Sequence, residues 1–336
     1  MPEHQHSGNS YSVEKEIRQG VKDIQKCEQK REAIKRKCES LSPDRVLLAG
    51  CGSSHKVAMI LASKIRESGI ESMAIESSEL VFGSYTASES DLVVGISQSG
   101  ETTETVQALR EYSKSGATTL ALVRSEESTL GNIADIEITT PSGEEKAVVA
   151  TKTVDTALKT GLMVKEAVAG EHPETFEIEI PKEKNVSEAA QVLEKAENAY
   201  CLGIGPYEGI AGEAAAKLDE VALIHSTHLS ALEFSHRAKS HADKTPVILL
   251  ALQPDLEETY GELIKELNDS GAKTILISPE ETSYGQLPEV QISAEDDLFS
   301  SLKVIQRLSV ETAINKKLNP DTRQTCQKLP TNKTFS

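Results

Sequence analysis

Apolar residues in this chain fall into short blocks whose spacing alternates between helical and strand-like. Val13, Ile17, Val21 and Ile24 recur at helical intervals with charged residues between them, which predicts a helix over 12–40 that is stopped at Pro43. Arg45-Val46-Leu47-Leu48-Ala49-Gly50 is a continuous apolar run, the pattern of a strand covered on both faces. Helical spacing returns over about 56–68. Strand-like runs follow at 72–76, 92–96 and 118–123, with a helix predicted over 103–115. Strands and helices of these lengths in alternation indicate parallel βαβ units, so the expected fold class is α/β with doubly wound, nucleotide-binding-like layers. Residues 1–10 are polar and read as a tail.

The pattern then recurs. Setting Gly50 on Gly203 and Gly52 on Gly205 also sets Val57 on Ile210, Ala58 on Ala211, Lys64 on Lys217 and Ile65 on Leu218. Further on, Ser115-Gly116-Ala117-Thr118-Thr119 matches Ser270-Gly271-Ala272-Lys273-Thr274. Like turns in like order predict two tandem lobes, over 41–168 and 186–315, joined by the acidic, proline-containing stretch 171–185. A tail and helix over 1–40 and a C-terminal tail over 316–336 complete the expected organisation.

Composition narrows the chemistry. Among 336 residues the net charge is −17, and a field of that sign opposes nucleic acid and anionic membrane surfaces. A local pocket can still take an anion. No stretch is apolar for long enough to span a bilayer, and the N-terminus lacks the apolar core of a signal peptide. Cys27, Cys38, Cys51, Cys201 and Cys326 are scattered and odd in number, which fits a reducing cytoplasm better than a disulfide framework. Trp is absent and aromatics are 4%, so the core must be aliphatic. His225, His228, His236 and His241 are loosely spaced, which favours separate structural roles over a metal centre.

The strongest local chemistry follows Asp91-Leu92-Val93-Val94-Gly95-Ile96. That run leads directly into Ser97-Gln98-Ser99-Gly100-Glu101-Thr102-Thr103-Glu104-Thr105 and then a helix. Hydroxyls and a glycine between a strand's carboxyl end and a helix start make an anion site, because free amides and the positive helix end face the ligand. The competing reading is an ordinary N-capped turn. Gly50-Cys51-Gly52-Ser53-Ser54 holds the equivalent place after the first strand, but His55 stands where a dinucleotide fingerprint needs a third glycine.

These strings together are similar to the sugar isomerase (SIS) domain family, and within it to the isomerase half of glutamine–fructose-6-phosphate aminotransferase. Ile96-Ser97-Gln98-Ser99-Gly100-Glu101-Thr102 resembles the family signature, and Cys51-Gly52-Ser53-Ser54 its Cys-Gly-Thr-Ser turn. Glu145 through Thr151-Lys152, Glu213 with Lys217 and Glu220, Ile224-His225, and Glu233-Phe234 with His236 continue the match over about 12–328. The resemblance implies two SIS lobes, a homodimer, a small phosphorylated sugar as ligand, and no metal or organic cofactor. By position it implies that Ser54, Ser97, Gln98, Ser99 and Thr102 bind the phosphate, with Lys217 and Glu213 placed against the sugar. Glu220 would move a proton between carbons 1 and 2, His236 would assist ring opening, and Lys328 would fill the lysine slot seven residues after Asp321. On spacing alone, Glu213, Lys217 and Glu220 also describe a solvated helix face with a Glu–Lys pair.

The chain departs from the pattern at Ala150, a serine in the family, at Arg237-Ala238 in place of Gly-Pro, and at Arg323-Gln324 after the tail aspartate. Residue 2 is Pro2, not the exposed cysteine that an N-terminal-nucleophile glutaminase requires, so glutamine-dependent synthesis by this chain alone is not expected. The leading expectation is a stand-alone deaminase or isomerase of an amino-sugar phosphate such as glucosamine 6-phosphate. The alternatives are a deglycase on a phosphorylated fructosamine-type adduct, a non-catalytic sugar-phosphate regulator, and an isomerase subunit served by a separate glutaminase.

Overall fold

The computed structural model describes residues 11–174, 178, 181–280, 282, 284–285, 288–295 and 297–322. The chain begins with α1 (Ser12–Cys27), a 3₁₀ turn at Glu28–Lys30 and α2 (Arg31–Cys38), so the single helix expected over 12–40 is broken. The turn buries no side chain. Val13, Ile17, Ile24 and Cys27 before it and Ile34 and Cys38 after it are all buried, and both helices pack on the same long helix, Lys152–Ala169. The break lets each piece aim its own apolar stripe at that partner.

The first lobe continues as β1 (Arg45–Gly50), α3 (Ser53–Glu67), β2 (Glu71–Glu76), α4 (Ser77–Phe82), β3 (Asp91–Ser97), α5 (Thr103–Ser113), β4 (Thr118–Val123), α6 (Thr129–Ile133), β5 (Ile136–Thr139) and α7 (Lys152–Ala169). The second holds α8 (Glu183–Leu193), β6 (Asn198–Gly203), α9 (Pro206–Lys217), a π-helical turn (Leu218–Ala222), β7 (His225–Ser230), α10 (Ala231–Arg237), β8 (Pro246–Leu250), α11 (Glu257–Asp269), β9 (Lys273–Ser278), β10 (Val290–Ser293) and α12 (Leu298–Asn315). The described residues form two five-stranded sheets, ordered β2-β1-β3-β4-β5 and β10-β9-β8-β6-β7, with every pairing parallel. Strand for strand the two orders are the same. The glycines aligned in the sequence hold like places: Gly52 and Gly205 follow the first strand of their sheets at φ +55° and +59°, and each starts a helix. Gly52 also explains why α3 begins at Ser53, ahead of the first periodic apolar residues, since a glycine in this left-handed region reverses the chain at once.

The lobes meet along α3 and α9. One apolar cluster runs through the seam, joining Val57, Ile60 and Leu61 of α3 to Ile210, Ala211 and Ala214 of α9. Small residues let the helices approach closely. A β-carbon on Gly209 would stand 2.9 Å from the Lys56 carbonyl oxygen and 3.0 Å from the Ile60 nitrogen, closer than backbone permits. α12 adds a second tie, where Lys303 is paired with Asp155 of α7 in full burial, and Gln306 bonds both, donating to Asp155 at 3.0 Å and accepting from Lys303 at 2.9 Å. With every partner present, such a network does not leave an uncompensated charge.

The seam sets a stability contrast between two helical glycines. Gly209→Ala should lower the thermal unfolding midpoint, costing about 1–3 kcal/mol through overpacking. Gly261→Ala in α11, where the nearest atom to an added β-carbon is 3.6 Å away, should be neutral or stabilising by up to ~1 kcal/mol. Equal midpoint shifts for the two variants, measured by circular dichroism, would contradict this description of the seam.

Candidate functional site

A cavity of about 330 Å³ opens at the carboxyl ends of β1, β3 and β4. Cys51, Ser53 and Ser54 line it from the β1–α3 turn, Gln98, Ser99 and Thr102 from the β3–α5 loop, and Arg124 from the end of β4. Thr140, Glu145, Ala147, Val148 and Ala150 come over it from the segment before α7, and Thr153 from α7 itself. The second lobe contributes Glu220. This size suits a small ligand, and the place is where parallel α/β sheets usually bind one.

The β3–α5 loop is held by its own hydroxyls. Ser97, which is buried, shares a 2.9 Å hydrogen bond with the Thr102 hydroxyl, and its Oγ accepts from the Gly100 amide at 3.1 Å. Ser97 therefore shapes the loop from behind and does not line the cavity. Gly100 sits at φ +70°, and a side chain there would also strike Ser128. Glu101 points away and accepts from the Thr129 amide and hydroxyl at 2.8 and 2.7 Å, bonds that hold its carboxyl below the usual range. The turn is not spent on capping: no side chain caps α5 behind Thr102, nor α3 behind Gly52. The positive ends of two helices thus stand at the cavity beside Ser54, Ser99 and Thr102, an arrangement that attracts an anion. The Ser54 and His55 amides of α3 already donate to the Cys51 and Gly52 carbonyls at 3.1 and 3.0 Å.

The opposite wall is acidic. Glu145 accepts from the Thr151 amide at 2.7 Å, the Thr151 hydroxyl at 2.9 Å and the Thr153 hydroxyl. Burial pushes its carboxyl upward despite those bonds. They fold the segment before α7 over the cavity, where Ala150, in the slot of the family serine, offers only a methyl group. Glu16 of α1 supports the same segment by accepting from the Lys146 and Ala147 amides at 2.6 and 2.9 Å.

Glu220 reaches the cavity because α9 widens into the π-helical turn. Leu218, Val221 and Ala222 are buried there while Asp219 and Glu220 are exposed, and Leu223 ends the turn in the left-handed conformation at φ +52°. A π turn inserted in an α-helix shifts the side chains that follow it and is often functional. Just before it, Glu213 and Lys217 pair at 2.6 Å with 0% and 1% side-chain exposure. Ser53 of the other lobe closes the triangle, donating to Glu213 at 3.1 Å and accepting from Lys217 at 3.2 Å. Burial opposes the charge on Lys217, but Glu213 and Glu220 outweigh it and hold the ammonium above the ordinary lysine range.

The expected site residues therefore separate by location. Ser54, Gln98, Ser99, Thr102 and Glu220 come together on the cavity surface. Glu213 and Lys217 do not line it and meet it only through Ser53. His236 lies on the exposed side of α10, away from the cavity of its own chain, and its neighbour Ser235 donates to Glu266 at 2.6 Å. Lys328 lies outside the described residues. Asp321, seven residues earlier in the sequence, accepts from the Ser12 and Val13 amides at 2.7 and 2.9 Å, one turn of α1 from Glu16. Sequence reasoning passed over Arg124, Thr140, Cys51 and Glu145 as lining residues. Arg124 had a signal available, since it stands directly after a strand's carboxyl end in the lobe that carries the hydroxyl loop.

Comparison with known proteins agrees with this architecture. The SIS domain family model matches residues 41–164 and 192–287. Glutamine–fructose-6-phosphate aminotransferase (isomerizing) of Pyrobaculum aerophilum is 30% identical over 302 residues, covering 84% of this chain and 50% of the relative. The enzyme of the same name from Sulfurisphaera tokodaii is 27% identical over 291 residues, covering 84% and 49%. The chain thus spans about half the length of these curated relatives. Among solved structures, the C-terminal domain of glucosamine-fructose-6-phosphate aminotransferase from Francisella tularensis superposes with a TM-score of 0.80 at 20% identity, covering 94% of this chain and 99% of that one. A glucosamine-6-phosphate deaminase from Thermotoga maritima superposes with a TM-score of 0.69 at 23% identity, covering 92% and 98%. With both lobes matched by the family model and the same fold found in those structures, this chain belongs to the SIS domain family.

Proposed function

We propose that this chain is an amino-sugar-phosphate deaminase/isomerase that converts glucosamine 6-phosphate and water to fructose 6-phosphate and ammonia. The observation that carries this reading is the position of Glu220, a carboxylate of the second lobe that lines a cavity whose other side is the hydroxyl loop of the first. The phosphate would lie against Ser54, Gln98, Ser99 and Thr102 and the uncapped ends of α3 and α5. Carbons 1 and 2 would then lie toward Glu220.

The reaction needs little more than a placed carboxylate. Once the sugar ring is open, Glu220 takes the proton from carbon 2, giving a cis-enolamine, and returns it to carbon 1 on the same face. The product is the carbon-2 imine of fructose 6-phosphate, which water hydrolyses to the ketone and ammonia. Lys217, whose ammonium is held in its charged form in part by Glu220, keeps Ser53 in place by its hydrogen bond. Two groups implied by the family resemblance enter this proposal with conditions. His236 can serve ring opening only if a second copy of the chain presents it, which fits a homodimer. Lys328 follows Asp321, whose anchor on α1 is next to the cavity wall. The names of the relatives support the substrate class.

Incubation with glucosamine 6-phosphate should release ammonia and fructose 6-phosphate in equal amounts. Glu220→Gln should lower kcat by ~10²–10⁴-fold with a smaller effect on KM. Tight binding without turnover, for this and related sugar phosphates, would instead identify a binding protein, and full activity in Glu220→Gln would remove Glu220 from the chemistry. For the loop, Thr102→Val should weaken sugar-phosphate binding by about tenfold, the usual worth of a hydrogen bond to a charged group. It should leave binding of the unphosphorylated sugar unchanged by calorimetry. Equal losses for both ligands would place the phosphate elsewhere.

A further inference from the structure

Arg124 follows the last residue of β4 and is tied to the hydroxyl loop, its backbone amide donating to the Gln98 carbonyl at 3.1 Å. Among the described residues that line the cavity it is the only lysine or arginine, while Glu145 and Glu220 are acidic. Its Nε is closed to solvent and has no hydrogen-bond acceptor. Among the described residues, no carboxylate forms an ion pair with its guanidinium. In a chain with 53 acidic and 36 basic side chains, partners for an arginine are abundant. A guanidinium that faces a cavity and carries a buried, unanswered donor is set for an anion that arrives from outside.

We infer that Arg124 is the cationic ligand of the substrate's phosphate and the main source of discrimination between phosphorylated and unphosphorylated sugars. This rests on the phosphate reading of the hydroxyl loop given above. Each hydroxyl or amide adds only about one hydrogen bond's worth of preference for a charged phosphate over a hydroxymethyl group. A guanidinium offers paired donors at a spacing that matches two phosphate oxygens, together with a full positive charge. That charge also offsets the repulsion a dianion meets in a cavity containing Glu145 and Glu220, inside a molecule of net charge −17. The same arrangement fixes polarity: the phosphate is held at the β4 end, and the reacting carbons extend toward the opposite lobe.

The test compares the full chain with Arg124→Gln and Arg124→Lys, titrated with fructose 6-phosphate, fructose and inorganic phosphate, after circular dichroism has shown that all three fold. The unmodified chain should prefer fructose 6-phosphate over fructose strongly. Arg124→Gln should lose affinity for fructose 6-phosphate and inorganic phosphate by about 10–100-fold and keep its affinity for fructose, and Arg124→Lys should recover part of the loss. The second ionisation of a phosphate ester lies near pH ~6, so the unmodified chain's affinity should fall between pH 7.5 and 5, and that fall should flatten in Arg124→Gln. If the unmodified chain discriminates and Arg124→Gln discriminates equally well, Arg124 is not the ligand and the loop reading stands. Parallel losses for fructose and fructose 6-phosphate would also overturn the inference, since Arg124 would then only shape the cavity. If the unmodified chain shows no preference for the phosphorylated sugar, the loop reading itself fails.

Discussion

Everything at the site depends on how closely α3 and α9 approach. Gly209 brings the α9 backbone against Lys56 and Ile60, and at that distance Ser53 of one lobe fits between Glu213 and Lys217 of the other. A buried ion pair with one member missing is strongly destabilising, whereas a complete one is tolerated. The Ser53 triangle therefore fixes the register of the lobes as well as joining them. Next along α9 comes the π-helical turn, so the same contact that locks the lobes also sets how far Glu220 extends into the cavity of its neighbour.

The cavity that results is polarised along its length. Helix N-termini, hydroxyls and Arg124 stand at the strand ends of the first lobe, and carboxylates stand opposite. A ligand with a dianionic tail and a neutral, proton-exchanging head has a single favourable orientation in such a field. The acidity of the molecule as a whole makes that local reversal of sign more selective, because an anion gains nothing from the rest of the surface.

Much of this was legible in the sequence. Continuous apolar runs ending in Gly or Ser marked the parallel strands, and the paired glycines at 50 and 203 anticipated the matching strand orders. The hydroxyl loop was readable because its chemistry is contiguous. The break at Glu28–Lys30 was not, since it answers to the shape of α7 and not to local propensity. Glu213 and Lys217 were placed against the sugar by the family resemblance, while their spacing shows a shared helix face but not what covers it. The small residues that let α9 sink against α3 act at a distance from both. Arg124 had a legible place after a strand's carboxyl end, but whether an arginine is already paired shows only when its neighbours in space are known. His236 stands on the exposed side of α10, away from the cavity of its own chain, and no local pattern encodes that.

The central claim is that one ligand bridges the lobes, its phosphate held by the first and its reacting carbons facing a carboxylate position of the second. A crystal structure of the Glu220→Gln protein with glucosamine 6-phosphate tests this most directly. The account predicts the phosphate within hydrogen-bonding distance of Ser99 and Thr102, and carbons 1 and 2 beside residue 220. A sugar phosphate seated in the second lobe, or one whose phosphate faces residue 220, would contradict it.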